Sequence, residues 1–176
     1  MKTAKTRRLV GTAILAAIVV VLQALSSYFK FGAVELSFVL IPIVVGAATY
    51  GIATGAFLGA VFGIVVLCQP GTVPFYQITV FGTVVTVLLK GALAGLVTGI
   101  VYRGLRKKNE WVAIYVSAAL CPIVNTAIFA VGLMTFFGGD LMAALAIFIT
   151  LNFGLELVIN ILCAPVIYRI LRAINK

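Results

Sequence analysis

Residues 36–68 read LSFVLIPIVVGAATYGIATGAFLGAVFGIVVLC, an apolar run without a single charge. As one helix it would reach about 50 Å at about 1.5 Å per residue, well past a hydrocarbon core of about 30 Å. Two short crossings fit better. The break belongs at Thr49-Tyr50-Gly51, because glycine admits the backbone angles that end a helix. The spacing therefore predicts one helix over 36–48 and the next over 52–68. With that division the chain has six apolar segments, at 9–28, 36–48, 52–68, 78–102, 111–137 and 141–170.

The division can be tested against charge. Lys and Arg concentrate in the cytoplasmic loops of membrane proteins. With six spans, eleven of the thirteen basic residues share one face: the N-terminal group (Lys2, Lys5, Arg7, Arg8), the loop between spans four and five (Arg103, Arg106, Lys107, Lys108) and the C-terminus (Arg169, Arg172, Lys176). Reading 36–68 as one span would put the two later groups opposite the first. The expectation is an all-α membrane protein, one domain over 1–176, a six-transmembrane-helix bundle with both termini cytoplasmic. The basic leader resembles a signal peptide, but the apolar run after it lacks a clean small-residue cleavage site, so it is read as the first span.

Composition excludes several classes of function. The chain is 64% hydrophobic and holds only four acids, too few charges to cover a soluble globule of this size. Its net charge of +9 is accounted for by a solvated face beside anionic lipid, without nucleic acid. There is no His, and Cys68, Cys121 and Cys163 are scattered, so no zinc, redox or Ser-His or Cys-His nucleophile motif can be assembled. No phosphate-cradling P-loop is present. Neither enzymatic activity nor a metal or cofactor is expected. Binding or permeation remains.

Small residues show where helices approach closely. Gly51, Gly55, Gly59 and Gly63 recur every fourth residue, as do Gly91, Gly95 and Gly99. Packing within the chain is the plain reading, and a dimer interface the alternative. Ala13 and Ala17 form a shorter stripe on the first span, a surface that would receive a partner's helix.

The informative polar residues lie at middle depth. Lys90 and Glu156 are the only charges inside apolar segments, where ionisable groups are expensive and tend to be functional. Asn152, Glu156 and Asn160 are spaced by four along the sixth span. Asn125 and Thr126 on the fifth span, Asn152 on the sixth and Lys90 on the fourth lie within roughly one turn of the same depth. Pro122 removes a backbone hydrogen bond one turn before Thr126. Two readings follow: a Lys90–Glu156 ion pair that fixes helix register, with the asparagines satisfying leftover donors, or a polar pocket open to the outside. The polar connections at 26–35 and 69–77 are long enough to fold over such a pocket, with Phe75, Tyr76 and Gln77 as lid. The prolines and glycine of 69–74 argue for loop there.

With these features the chain resembles the substrate-binding membrane subunits (S components) of energy-coupling factor (ECF) vitamin transporters over nearly its whole length. The resemblance rests on the basic start followed by Thr12-Ala13-Ile14-Leu15-Ala16-Ala17, on Ile41-Pro42-Ile43 and the Gly46 to Gly51 passage, on Gly51-Ile52-Ala53-Thr54-Gly55-Ala56, and on the basic loop between spans four and five. It implies a bacterial plasma-membrane protein whose Ala13 and Ala17 contact a transmembrane coupling subunit served by two cytoplasmic ATPases. It further implies a vitamin-like small molecule held near the outer face by residues such as Lys90, Asn125, Asn152 and Glu156, below Phe75 to Gln77, and released inside as the subunit topples. A lysine at pocket depth suits a carboxylate, favouring pantothenate or a folate-like acid, while Phe and Tyr would still stack a flavin such as riboflavin. The alternatives are a self-sufficient secondary transporter or channel using Lys90 and Glu156 as a relay, and a non-transporting scaffold assembled through the glycine stripes.

Overall fold

In the computed structural model, which describes residues 2–26, 30–31, 34–35 and 38–174, the long apolar run breaks at Gly51. Its φ of 99° lies in the left-handed region that side chains avoid. Helix α1 (Lys2–Ser26) precedes a hairpin of two-residue strands, β1 (Lys30–Phe31) and β2 (Val34–Glu35), paired antiparallel with Lys30 opposite Glu35. Then come α2 (Leu40–Tyr50), α3 (Ile52–Leu67), a 3-10 turn over Pro70–Thr72, α4 (Val73–Ile78), α5 (Val80–Arg106), α6 (Glu110–Phe136) and α7 (Gly139–Ile174). Apart from the hairpin, the regular structure is helical.

Length separates these helices into two kinds. Among the described residues, four segments are long and apolar enough to cross a bilayer: Lys5–Ser26, Val80–Arg106, Glu110–Phe136 and Leu145–Ala173. A fifth crossing exists if Ile52–Leu67 and Pro70–Ile78, bent by 78°, count as one. The expectation of six crossings rests on α2 and α3, and α2 by itself rises only about 16 Å, half a hydrocarbon core. What the structure shows is a multi-pass helical membrane protein with four to five segments of spanning length.

Helix ends follow local chemistry. Thr79 accepts a hydrogen bond at its hydroxyl from the Gly82 N–H (3.2 Å) and starts α5, and Asn109 Oδ1 accepts from the Trp111 and Val112 N–H groups to start α6. Gly138, at φ 84°, turns the chain between α6 and α7. The 69–77 segment, expected as loop, instead forms the 3-10 turn and the short α4. Each element begins with a proline in its first two positions, where the missing N–H has no intrahelical partner to lose. Pro122 sits buried inside α6, which continues through it.

Helix α2 is apolar all round, and Leu40 and residues 42–48 are buried. Its Ile43, Val44 and Val45 share one core with Leu58 of α3, Ala94 and Tyr102 of α5, Ile114 and Ala118 of α6, and Ile167 and Leu171 of α7. These partners lie toward the end of the bundle that carries Arg8, Arg103, Arg106 and Arg172, the basic end. There Trp111 stacks on Tyr168 with centroids 4.0 Å apart. The packed core thus fills the basic half.

The two glycine stripes face each other. A Cβ built on Gly59 would run into the Gly91 carbonyl and one on Gly91 into the Gly59 carbonyl; Gly55 and Gly95 repeat the reciprocal contact. Helices α3 and α5 therefore meet backbone to backbone, the close approach that lipid, offering no hydrophobic drive, rewards.

Candidate functional site

Because α2 begins only at Leu40, the far half of the bundle lacks a central helix, and a cavity of about 340 Å³ occupies it. That is within the size range of small-molecule sites. Its walls come from every long helix.

Helix α5 contributes Thr83, Thr86 and Lys90, residues three or four apart that share one face. Helix α6 adds Asn125, Thr126 and Phe129, and α7 adds Phe148, Asn152 and Glu156. The cavity therefore gathers Lys90, Asn125, Thr126, Asn152 and Glu156, the five mid-depth polar residues anticipated from spacing. Glu156 is 5% exposed and Asn125 6%. The Lys90 ammonium lies 4.6 Å from the centre of the Phe129 ring and 5.7 Å from that of Phe62, so two aromatic faces stabilise its charge in a poorly hydrated place.

Asn125 Oδ1 and Thr86 Oγ1 of the lining are enclosed without a hydrogen-bond partner among the described residues. An unsatisfied buried polar atom costs about 1–3 kcal/mol. A guest that donates to these oxygens would recover that energy. Asn160 Oδ1 also lacks a partner among the described residues, but away from the cavity. Its amide donates to the Glu156 carbonyl at 2.8 Å, and it does not line the cavity.

Aromatic rings close the far end. Phe75 of α4 packs edge-on against Phe137 (5.5 Å) and Phe129 (6.1 Å), and all three line the cavity. Tyr76 and Gln77, its expected companions, do not line it. Helical geometry turns successive residues by about 100°. Tyr76 donates its hydroxyl to the Leu67 carbonyl at 2.9 Å, and Gln77 is exposed. Replacing Phe75 by Ala should open this cover; we expect solute to dissociate about fivefold faster, as loss of about 1 kcal/mol of ring contact implies, read by stopped-flow release.

Spacing did not point to the amide bridge beside the rings. Gln23 of α1 donates to Gln69 Oε1 at 3.0 Å, and Gln69 returns a bond to the Gln23 carbonyl at 2.8 Å. Both line the cavity, tying α1 to the turn before α4. The signal was present: Gln23 is the single amide in the first apolar span.

Chemically the cavity can hold and orient. Among the described residues it presents one cation, one carboxyl group, amides, hydroxyls and aromatic faces. Away from it, Ala13 and Ala17 are exposed on α1, on a face shared with Leu9, Val10, Ile14 and Val21. The family model described as "ECF transporter, substrate-specific component" matches residues 7–168. No curated protein matches the chain. The match runs from the basic flank of α1 to Tyr168 near the end of α7 and takes in every wall of the cavity, so the chain belongs to the family of ECF transporter substrate-specific components.

Proposed function

We propose that the cavity of the far half is the solute site, and that it captures from outside the cell a vitamin-sized molecule bearing an acid group, pantothenate or a folate-like compound before riboflavin. As a member of its family the chain is a substrate-binding subunit of an ECF transporter, a transporter subunit and not an enzyme. The observation that carries the finer reading is the convergence of Lys90, Asn125, Asn152 and Glu156 on one cavity whose Asn125 and Thr86 oxygens lack partners among the described residues. An ammonium between aromatic rings is a strong point of attraction for a carboxylate. Basic residues at the opposite end support an orientation with both termini and that end cytoplasmic, six passages through the membrane and the cavity facing outward.

The experiment is purification from rich medium followed by mass spectrometry of co-purifying small molecules. A vitamin-sized acid, bound with submicromolar affinity on re-addition, is the expected result. Solute flux in liposomes containing this chain alone would favour the self-sufficient transporter instead. A scaffold assembled through glycine stripes is disfavoured, since Gly55, Gly59, Gly91 and Gly95 are used within the chain.

Solute release on this reading requires a transmembrane coupling subunit and two ATPases. The exposed Ala13 and Ala17 are the proposed docking stripe. Replacing both by Trp should abolish assembly of the complex, read by co-purification, while solute affinity stays within about twofold, because neither residue lines the cavity. Intact assembly would remove α1 from the interface.

A further inference from the structure

We propose that a second cavity, at the basic end, is a binding site for a phosphate group. It is a concavity of about 790 Å³ around the α2–α3 break, lined by Thr49, Tyr50 and Gly51, by Tyr102, and by the cations Arg8, Arg103, Arg106 and Lys107. Four positive side chains from two helices and the following turn meet there, and no Asp or Glu lines it among the described residues. Glu110 is within electrostatic reach of Tyr102 but outside the lining.

A basic rim alone would be explained as an orientation signal beside anionic lipid. That signal requires neither a concavity nor enclosed hydroxyls. Here Thr49 Oγ1 and Tyr102 Oη are both enclosed without a hydrogen-bond partner among the described residues, and Tyr102 is 3% exposed. Buried polar atoms are as a rule satisfied, so two orphaned hydroxyls in one lining point to an acceptor that completes them. Arg8 reaches Thr54 Oγ1 across the α1–α3 contact at 3.5 Å, and the Arg106 guanidinium lies 6.0 Å from the Tyr102 ring centre. Guanidinium forks plus hydroxyl donors match the oxygens of a phosphate mono- or diester better than those of a carboxylate, which has fewer oxygens to fill. At this depth the group would come from an anionic lipid headgroup or from a soluble phosphate.

The test uses the full chain in nanodiscs of phosphatidylcholine with and without phosphatidylglycerol, and in phosphatidylcholine discs titrated with inorganic phosphate. Native mass spectrometry reads retained lipid, and thermal unfolding reads stabilisation. Each cation removed should weaken the lipid arm about fivefold, so Arg103→Gln with Arg106→Gln should weaken it roughly 25-fold. Tyr102→Phe keeps every charge and should still weaken binding about three- to tenfold. Neither change touches the solute cavity, so solute affinity serves as the folding control. Phosphatidylglycerol retained selectively by the wild type assigns the site to lipid, and a saturable response to inorganic phosphate that Tyr102→Phe weakens assigns it to a soluble phosphate. Equal responses of wild type and Tyr102→Phe in both arms would overturn the proposal, leaving only diffuse attraction between a basic surface and anions.

Discussion

Replacing Lys90 by Met is expected to weaken solute capture about 10- to 100-fold, the equivalent of losing a hydrogen bond to a charged group worth about 1.5–3 kcal/mol. Methionine keeps an aliphatic stem of similar length between the Phe62 and Phe129 rings, so the shape of the cavity is preserved and only the ammonium is lost. Calorimetric titration with the co-purified solute measures the change. The opposing account, in which Lys90 serves only to fix helix register against Glu156, makes a different prediction. Removing one partner of a buried pair strands the other charge, at about 3–5 kcal/mol. Stability would then fall while affinity for the solute stays within about twofold, and that pattern would end the case for Lys90 as a solute ligand. Asn125→Ala, which removes an oxygen with no partner among the described residues, should lower affinity about three- to tenfold with little change in stability.

Gly59→Leu or Gly91→Leu should be the most damaging single changes for folding. A Cβ at either position overlaps the main-chain carbonyl of the facing glycine, and main chain cannot rotate away as a side chain would. Helices α3 and α5 would have to separate along the whole stripe, also parting Gly55 from Gly95. Overpacking of this kind costs about 3 kcal/mol or more. The expected result is loss of monodisperse protein on gel filtration in detergent. Gly104→Ala is the control, since a Cβ there meets nothing within 4 Å. A Gly59→Leu protein as stable as the control would show that the seam does not hold the fold.

How much of this was legible in residues alone depended on how rare each residue is in its setting. Lys90, Glu156, Asn125 and Asn152 stand out because polar groups are costly in hydrocarbon, and their spacing brought them to one depth and, in the fold, to one cavity. Gly51 was legible for a similar reason: a uniform apolar run longer than a bilayer must break, and few residues allow it. The aromatic walls were not. Phe62, Phe129 and Phe148 are ordinary in a membrane helix, and nothing in their pattern tells a cavity wall from a lipid-facing ring. The α4 turn was hidden by its prolines, which read as helix breakers until their position at the first turn is known. Without α4, Phe75, Tyr76 and Gln77 look equivalent, whereas one faces the cavity and the next is bonded to Leu67. The number of full crossings was the least legible quantity, because α2 is apolar enough to span and too short to do so.

The joint between α3 and α5 has a consequence for motion. Interlocked side chains can slip from one set of rotamers to another, and many gates work that way. Main chain seated on main chain has a single fit and nothing to re-sort. Those two rods form one rigid unit, so any rearrangement of the bundle has to take place at its other seams.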